Sequence, residues 1–257
     1  YEIIKWNNEH DFKFFRITSN LFPWCSEYRL KDMPDYQEIA DLLNEIGEYV
    51  KANDMRITSH PGPFNVLTSP REHVVQNCIK DLSIHGEVFD MMGLSRTPFN
   101  KINIHIGGAY GDKTSAMKRF CENFNLLPDS VKSRLTVEND DKASMYSVKD
   151  LYHGVYEVIG IPIVFDYHHH KFCTGDLSER QALELAIKTW PEGITPVVHY
   201  SESRSKEHND ITIREQAHSD YVYNYIDTYG NVVDVMVEAK AKELAVLRYK
   251  ELHNEGD

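Results

Sequence analysis

The chain has 257 residues, is 41% hydrophobic and carries a formal net charge of −12, so it can bury one large core but offers no general basic field. That balance argues against a nonspecific nucleic-acid or membrane-surface binder, though not against a protein whose positive charge comes from bound metals. Cys25, Cys78, Cys121 and Cys173 lie far apart with no Cys-x-x-Cys pair, which argues against a zinc ribbon or redox pair and fits an intracellular protein. No apolar run approaches the ~18 residues of a membrane span, and no signal peptide is visible.

Seven short runs rich in Ile and Val read as strands by length and β-branching. In chain order they are FFRITS (14–19), MRITSH (55–60), KINIHIG (101–107), RLTVEN (134–139), IPIVFDYH (161–168), TPVVHYS (195–201) and VVDVMVEA (232–239). Apolar residues at helical spacing fall between them over 34–53, 70–93, 147–160 and 178–190. Pro34, Pro70 and Ser178 are suited to start helices there, and Gly93 and Gly160 to stop them. Alternation of strand and helix implies a parallel sheet with helices outside it, open or closed into a barrel. A closed (β/α)8 barrel needs one strand more than the seven counted. No composition shift, linker or repeat divides the chain, which reads as one domain over residues 1–257.

Six of these strands end in a metal-capable side chain: His60, His105, Glu138, Asp166 followed by His168, His169 and His170, then His199 and Glu238. Parallel strands bring such ends to one rim, where barrel enzymes place their chemistry. Each has a bland reading alone. A single His at a strand end is more often a hydrogen-bonded structural residue, Glu138 suits a turn cap, Glu238 a helix start, and the histidine run a solvated loop. The joint pattern favours metal. Imidazole and carboxylate without thiolate suit Zn²⁺, Mn²⁺ or Fe²⁺ rather than Cu(I) or an iron–sulfur cluster. The donors are too many for one ion, whereas two or three ions sharing a carboxylate would use them and would suit phosphate-ester hydrolysis.

At this point FFRITSNLFPW, RITSHPGPFNVL, NIHIGGAYGDK, TVENDD, FDYHHH, VVHYSES, AHSDYV and VEAKAKE, in that order, resemble the ultraviolet damage endonucleases, relatives of endonuclease IV-type enzymes. The resemblance runs from Phe14 to the final helix. It implies a TIM (β/α)8 barrel holding two to three divalent ions, manganese first and zinc as the alternative, and incision of damaged double-stranded DNA just 5′ of a pyrimidine photoproduct. Abasic sites are implied as a second substrate, and a 3′-hydroxyl and a 5′-phosphate as product ends. Carried over, His60, His105 and Glu138 hold the first ion. Glu138 is shared with a second ion held by Asp166, His199 and Glu238, and His169 and His218 take a third. His208 in KEHND rivals His218, which the local motif favours. His168 and His170 read as supports or loop residues. Glu138 and Lys240 are the catalytic candidates, with Lys240 or a third ion placed against the departing 3′-oxygen; a solvated helix lysine is the bland reading of Lys240. Arg204, Lys206 and Lys113 are candidates for backbone contacts. The expected setting is a monomer acting on DNA inside the cell, away from membranes.

Three features depart from the family pattern. The opening strand of the LGYVCIN kind has no counterpart before Tyr1, so the eighth strand and its nucleotide-holding residues are expected to be missing. Val197 stands where the family often has a lysine that becomes a metal-contacting carbamate. Pro63 and Phe64 stand where a Gln-Tyr pair wedges into the duplex. Phe64 keeps the apolar wedge, with a core residue as its bland reading, while Pro63 cannot replace the amide. The rival functions are an abasic-site endonuclease without photoproduct activity, a metal-dependent sugar isomerase-like barrel, and a non-catalytic metal-storing barrel.

Overall fold

The structure, a computed structural model, describes residues 1–253. All seven expected strands form: β1 (Phe14–Ile17), β2 (Arg56–Ser59), β3 (Ile102–Ile104), β4 (Leu135–Glu138), β5 (Ile163–Asp166), β6 (Val197–Tyr200) and β7 (Asp234–Val237). Parallel strands in chain order separated by helices are the TIM-like barrel class of α/β fold. The chain groups into two compact units, Tyr1–Glu138 with His153–Pro162, and Asn139–Tyr152 with everything from Ile163 onward.

In the first unit β1 to β4 pair in parallel, with Phe14 opposite Arg56, Ser59 opposite Ile102 and Asn103 opposite Thr136. In the second, β5, β6 and β7 pair in parallel, with Asp166 opposite His199 and His199 opposite Met236. Parallel neighbours cannot be joined by a tight turn, and the intervening helices supply the crossovers. β2 to β6 are buried along their whole length. Burial on both faces is why these strands read as continuous apolar runs rather than alternating ones.

The expected helices form within a few residues of their sequence bounds. Tyr36–Ala52 buries Leu43, Ile46, Gly47 and Val50 on one stripe. A Cβ at Gly47 would lie 1.7 Å from the Met92 carbonyl oxygen, so only glycine allows that approach. Glu72–Met91 is followed by Gly93 at φ +62°. Ser147 and Asp150 form a reciprocal cap at Val148, and Gly160, at φ +73°, ends the segment that passes through a π turn over Tyr152–Tyr156. Ser178 and Gln181 do the same at the start of Glu179–Ile187. Past its end, Trp190 donates from its indole to the Ile163 carbonyl at 2.8 Å, and the Thr189 hydroxyl accepts from the Ile163 amide at 2.8 Å. That pair holds the first residue of β5.

Helices over Glu2–Glu9, Lys113–Phe124, Asp129–Lys132 and Arg204–His208 are additional to those read from the sequence, and the expected final helix spans Glu243–His253. Two of the bland alternatives fall away. The histidine run is a buried helical turn, Tyr167–His170, rather than a solvated loop. Glu238 lies just past β7 and does not start a helix, which begins at Glu243.

One buried cation ties the first unit together. Arg134, fully buried, donates to the carbonyls of Ser95 (2.8 Å), Ser130 (2.9 Å) and Leu94 (2.7 Å) and to Asp90 Oδ1 at 2.8 Å. Burial pushes the Asp90 carboxyl up, but hydrogen bonds from Arg96 and Arg134 outweigh it and hold the group below its ordinary value of 3.8. Asp90→Ala leaves Arg134 buried without its counter-charge and is expected to cost about 3 kcal/mol, read as a lower thermal midpoint. Because the folded pKa is depressed, the Asp90 contribution is present above the unfolded value and is lost as pH falls through the folded one. The gap between wild type and variant should therefore close in acid.

Candidate metal centres

In the first unit three strand ends converge. His60 follows β2, His105 follows β3, and Glu138 ends β4. Ligand atoms of all three lie within 4.8 Å of one another. His60 Nε2 is 3.2 Å from Glu138 Oε2, and His105 Nε2 is 3.9 Å from Oε1. His60 Nδ1 faces the Pro61 carbonyl at 3.2 Å, which assigns the proton to Nδ1 and leaves Nε2 as the donor atom. Glu138 is 1% exposed. Its Oε2 accepts a very short hydrogen bond from Asn103 Nδ2, whose own Oδ1 accepts from the Thr136 hydroxyl at 2.8 Å. Asn103 is fully buried in the middle of β3, two residues before His105 and thus on the same face. It orients the carboxylate, and the sequence reading missed it. The available signal was a lone amide between two isoleucines, since a polar group buried in a strand needs a partner.

In the second unit Asp166, His199 and Glu238 form another three-donor group, again with ligand atoms within 4.8 Å. Strand register sets Asp166 opposite His199. His199 Nδ1 is 3.2 Å from Glu238 Oε1. Asp166 caps the histidine turn by accepting from the His169 amide at 2.7 Å. Asn139, also missed, pairs with the Asp166 backbone twice, at 3.0 and 2.8 Å, as a strand neighbour would. His169 Nδ1 faces the Asn139 carbonyl at 2.9 Å and His218 Nδ1 the Glu238 carbonyl at 3.1 Å. Both rings thereby keep Nε2 for a ligand, and their centroids are 6.2 Å apart.

The remaining candidates are placed as follows. His168 is buried, edge-on to Phe172 and to His218 at 5.3 and 5.8 Å. Burial, helped by the neighbouring His218, lowers its pKa to about 4, so it stays a neutral packing partner of His218. His170 is buried against Phe165 and likewise lowered by burial. His208 belongs to a separate group, with Asp220 at 2.8 Å and Glu207 at 3.6 Å. Arg204 lies 3.7 Å from the same Asp220. Val197 is fully buried at the start of β6. Lys240 is exposed, ahead of the last helix. Pro63 is exposed, and Phe64 is 88% exposed, so it is no core residue.

Both three-donor groups fit a divalent ion. Each joins nearly or fully buried carboxylate to imidazole at spacings that ligands about 2.0–2.2 Å from a common ion adopt. A buried carboxylate also gains from a cation what it loses in hydration.

The model of the UV-endonuclease UvdE family matches residues 1–255. The UV DNA damage endonuclease of Bacillus pumilus (strain SAFR-032) is 37% identical over 257 residues, covering 94% of this chain and 75% of the relative. The crystal structure of SacUVDE superposes with a TM-score of 0.84 at 34% identity, over 99% of this chain and 84% of that one. D-psicose 3-epimerase from Clostridium cellulolyticum H10 matches with a TM-score of 0.62 at 13% identity, over 100% of this chain and 86% of that one, a likeness of fold alone.

Asn103→Ala is expected to weaken divalent-ion binding by about 10- to 100-fold, the usual effect of removing a residue that orients a ligand, measured by calorimetric titration with Mn²⁺. His169→Ala should weaken binding and nicking more than His170→Ala; the reverse order would overturn the choice of His169.

Proposed function

Since the chain belongs to the UV-endonuclease UvdE family, we propose that it hydrolyses DNA immediately 5′ of pyrimidine photoproducts with the aid of two to three divalent ions, manganese foremost, and that abasic sites are a second substrate. The observation that carries the reading is the pair of three-donor groups, one in each unit, each built at strand ends around a buried carboxylate with no thiolate among them. His60, His105 and Glu138 would hold one ion, and Asp166, His199 and Glu238 another, with His169 and His218 assigned to a third. When bound, such ions lower the pKa of water and offset charge gathering on a phosphate.

The chain's own residues have distinct tasks in this reading. Asn103 fixes the Glu138 carboxylate in one rotamer, so its oxygens need no reorganisation as charge develops. The Pro61, Asn139 and Glu238 carbonyls hold His60, His169 and His218 in the tautomer that offers Nε2. The water oxygen adds to phosphorus as the bond from phosphorus to the 3′-oxygen breaks. Lys240 is assigned to the charge on that departing oxygen, which takes up the equivalent of the proton that the water gives up and becomes the 3′-hydroxyl while the phosphate stays on the 5′ end. Pro63 and Phe64 are assigned to the DNA, Phe64 filling the gap left when damaged nucleotides leave the stack. Distorted DNA is cheaper to open, which favours lesions over intact duplex.

The test is nicking of ultraviolet-irradiated plasmid. Activity should require Mn²⁺ or another divalent ion, vanish with chelator, and return on adding metal back. Glu138→Gln and Asp166→Asn should each cost more than the about 10- to 100-fold typical of an orienting residue. A duplex with one thymine dimer compared with one holding an abasic site separates the readings: incision of the abasic duplex alone would replace photoproduct repair by abasic-site cleavage, and metal-independent nicking would overturn the mechanism.

A further inference from the structure

The first unit holds two large aromatic side chains almost wholly in solvent, Trp24 at 83% and Phe64 at 88% exposure. They lie in the loops that follow β1 and β2, and the second of these loops begins at His60. Neither loop is slack. Trp24 has φ +59°, in the left-handed region that a bulky residue enters only at a cost. Its neighbour Cys25 is buried and donates from Sγ to Asp81 Oδ1 at 2.9 Å. Burial first, then the hydrogen bond to Asp81 and its charge, push that thiol up to about 12, so it keeps the proton that it donates. Phe64's neighbour Asn65 is buried too, and donates to the other oxygen of the same carboxylate, Asp81 Oδ2, at 2.7 Å. One side chain on the helix Glu72–Met91 thus pins the residues next to both exposed rings. Deeper in the second loop, Arg119 donates to the Thr68 carbonyl at 2.9 Å and Asn123 to the Leu67 carbonyl at 2.8 Å.

A strained backbone beside a buried hydrogen bond is an odd way to hold an indole that packs on little of its own chain. Packing would bury the ring, and solvent would favour a polar residue. The arrangement makes sense if the ring meets something outside. Charge narrows what that is. At a net charge of −12 the chain cannot depend on a basic field to hold DNA, whereas stacking a base on an aromatic ring needs no cation and tolerates any sequence. We propose that Trp24 stacks on a nucleobase of bound DNA, forming with Phe64 a two-ring platform that Asp81 presets. This rests on the reading of the chain as a DNA endonuclease.

Two measurements test it. Steady-state nicking of a duplex with one thymine dimer should show Trp24→Ala raising KM by about tenfold, the loss of one base–aromatic stack, with kcat changed far less. Trp24→Phe should restore most of the loss, since a phenyl ring still stacks. Titrating the same duplex against intrinsic fluorescence should quench the wild-type protein, and Trp24→Phe should lose most of that quench, because Trp190 is buried and only Trp6 remains besides. An unchanged KM in Trp24→Ala overturns the proposal, as does a quench that survives in Trp24→Phe. The thermal midpoint of Trp24→Ala should stay at the wild-type value, which separates lost stacking from misfolding. For the brace, Asp81→Asn should raise KM less in the Trp24→Ala background than alone, and strict additivity would overturn its positioning role. If the wild-type protein leaves damaged DNA uncut, the endonuclease reading fails, and the quench still decides whether Trp24 meets a base.

Discussion

Two carboxylates out of reach of water constrain the rest of this structure: Glu138 at 1% exposure and Asp166 at 0%. Taking an ionised carboxylate out of water costs several kcal/mol unless charge or hydrogen bonds replace the lost hydration. The replacements come from fixed places. Glu138 has Asn103 and the imidazoles of His60 and His105. Asp166 has the His169 amide of the turn that it caps, with His199 opposite it in register. Strand pairing determines which side chains can serve, so the parallel register of each unit is also the specification of its donor group.

Two asparagines show how far the polar construction extends beyond the donors. Asn103 spends its amide on Glu138 and its carbonyl on Thr136, the residue directly opposite it on β4. Asn139 spends both of its groups on the backbone of Asp166. A buried network of this kind is stabilising only when every member is satisfied, which makes it a rigid mount. Rigid mounts suit a site that must meet a developing charge without rearranging. The same economy appears in the histidine turn, where His168 and His170 are held neutral by burial and serve as packing, leaving His169 turned by a carbonyl to present one nitrogen.

What the sequence made legible follows from which forces leave a local signature. Burial on both faces leaves continuous Ile and Val, so all seven strands were readable, and with them the donors at their ends. Ser178 and Gly160 marked helix bounds because caps and left-handed exits demand particular residues. The helix Lys113–Phe124 was not legible, because its buried stripe is Ala116, Met117, Phe120 and Cys121 in a polar setting, too slight a period to register. Asn103 and Asn139 were not legible either. Their partners lie 35 and 27 residues away in the chain, and no spacing rule links an amide to a carboxylate across that distance. The burial of the histidine run was not legible for a related reason: it comes from an Asp cap and aromatic neighbours that composition does not show. Phe64 was open to two readings until its exposure excluded the core.

The acidic balance finally bears on how such a chain holds a polyanion. Counterion release on contact with lysine and arginine usually supplies most affinity for DNA, yet here acidic residues outnumber basic ones by 40 to 28. Several of the basic groups are already committed: Arg134 is buried with Asp90, and Arg29, Arg96 and Arg180 face carboxylates on the surface at 2.7, 2.6 and 2.8 Å. Affinity must then come from terms that do not scale with net charge. On the proposed function, divalent ions would bring positive charge to the phosphates, and rings such as Trp24 and Phe64 would add stacking that needs no cation. Intact duplex offers its stacked bases to neither ring, and only where damage loosens the stack does the second term become available. In that reading, a weak general attraction combined with a strong contact limited to opened DNA would separate lesions from the excess of normal sequence, and the chain's acidity would become part of its selectivity rather than an obstacle.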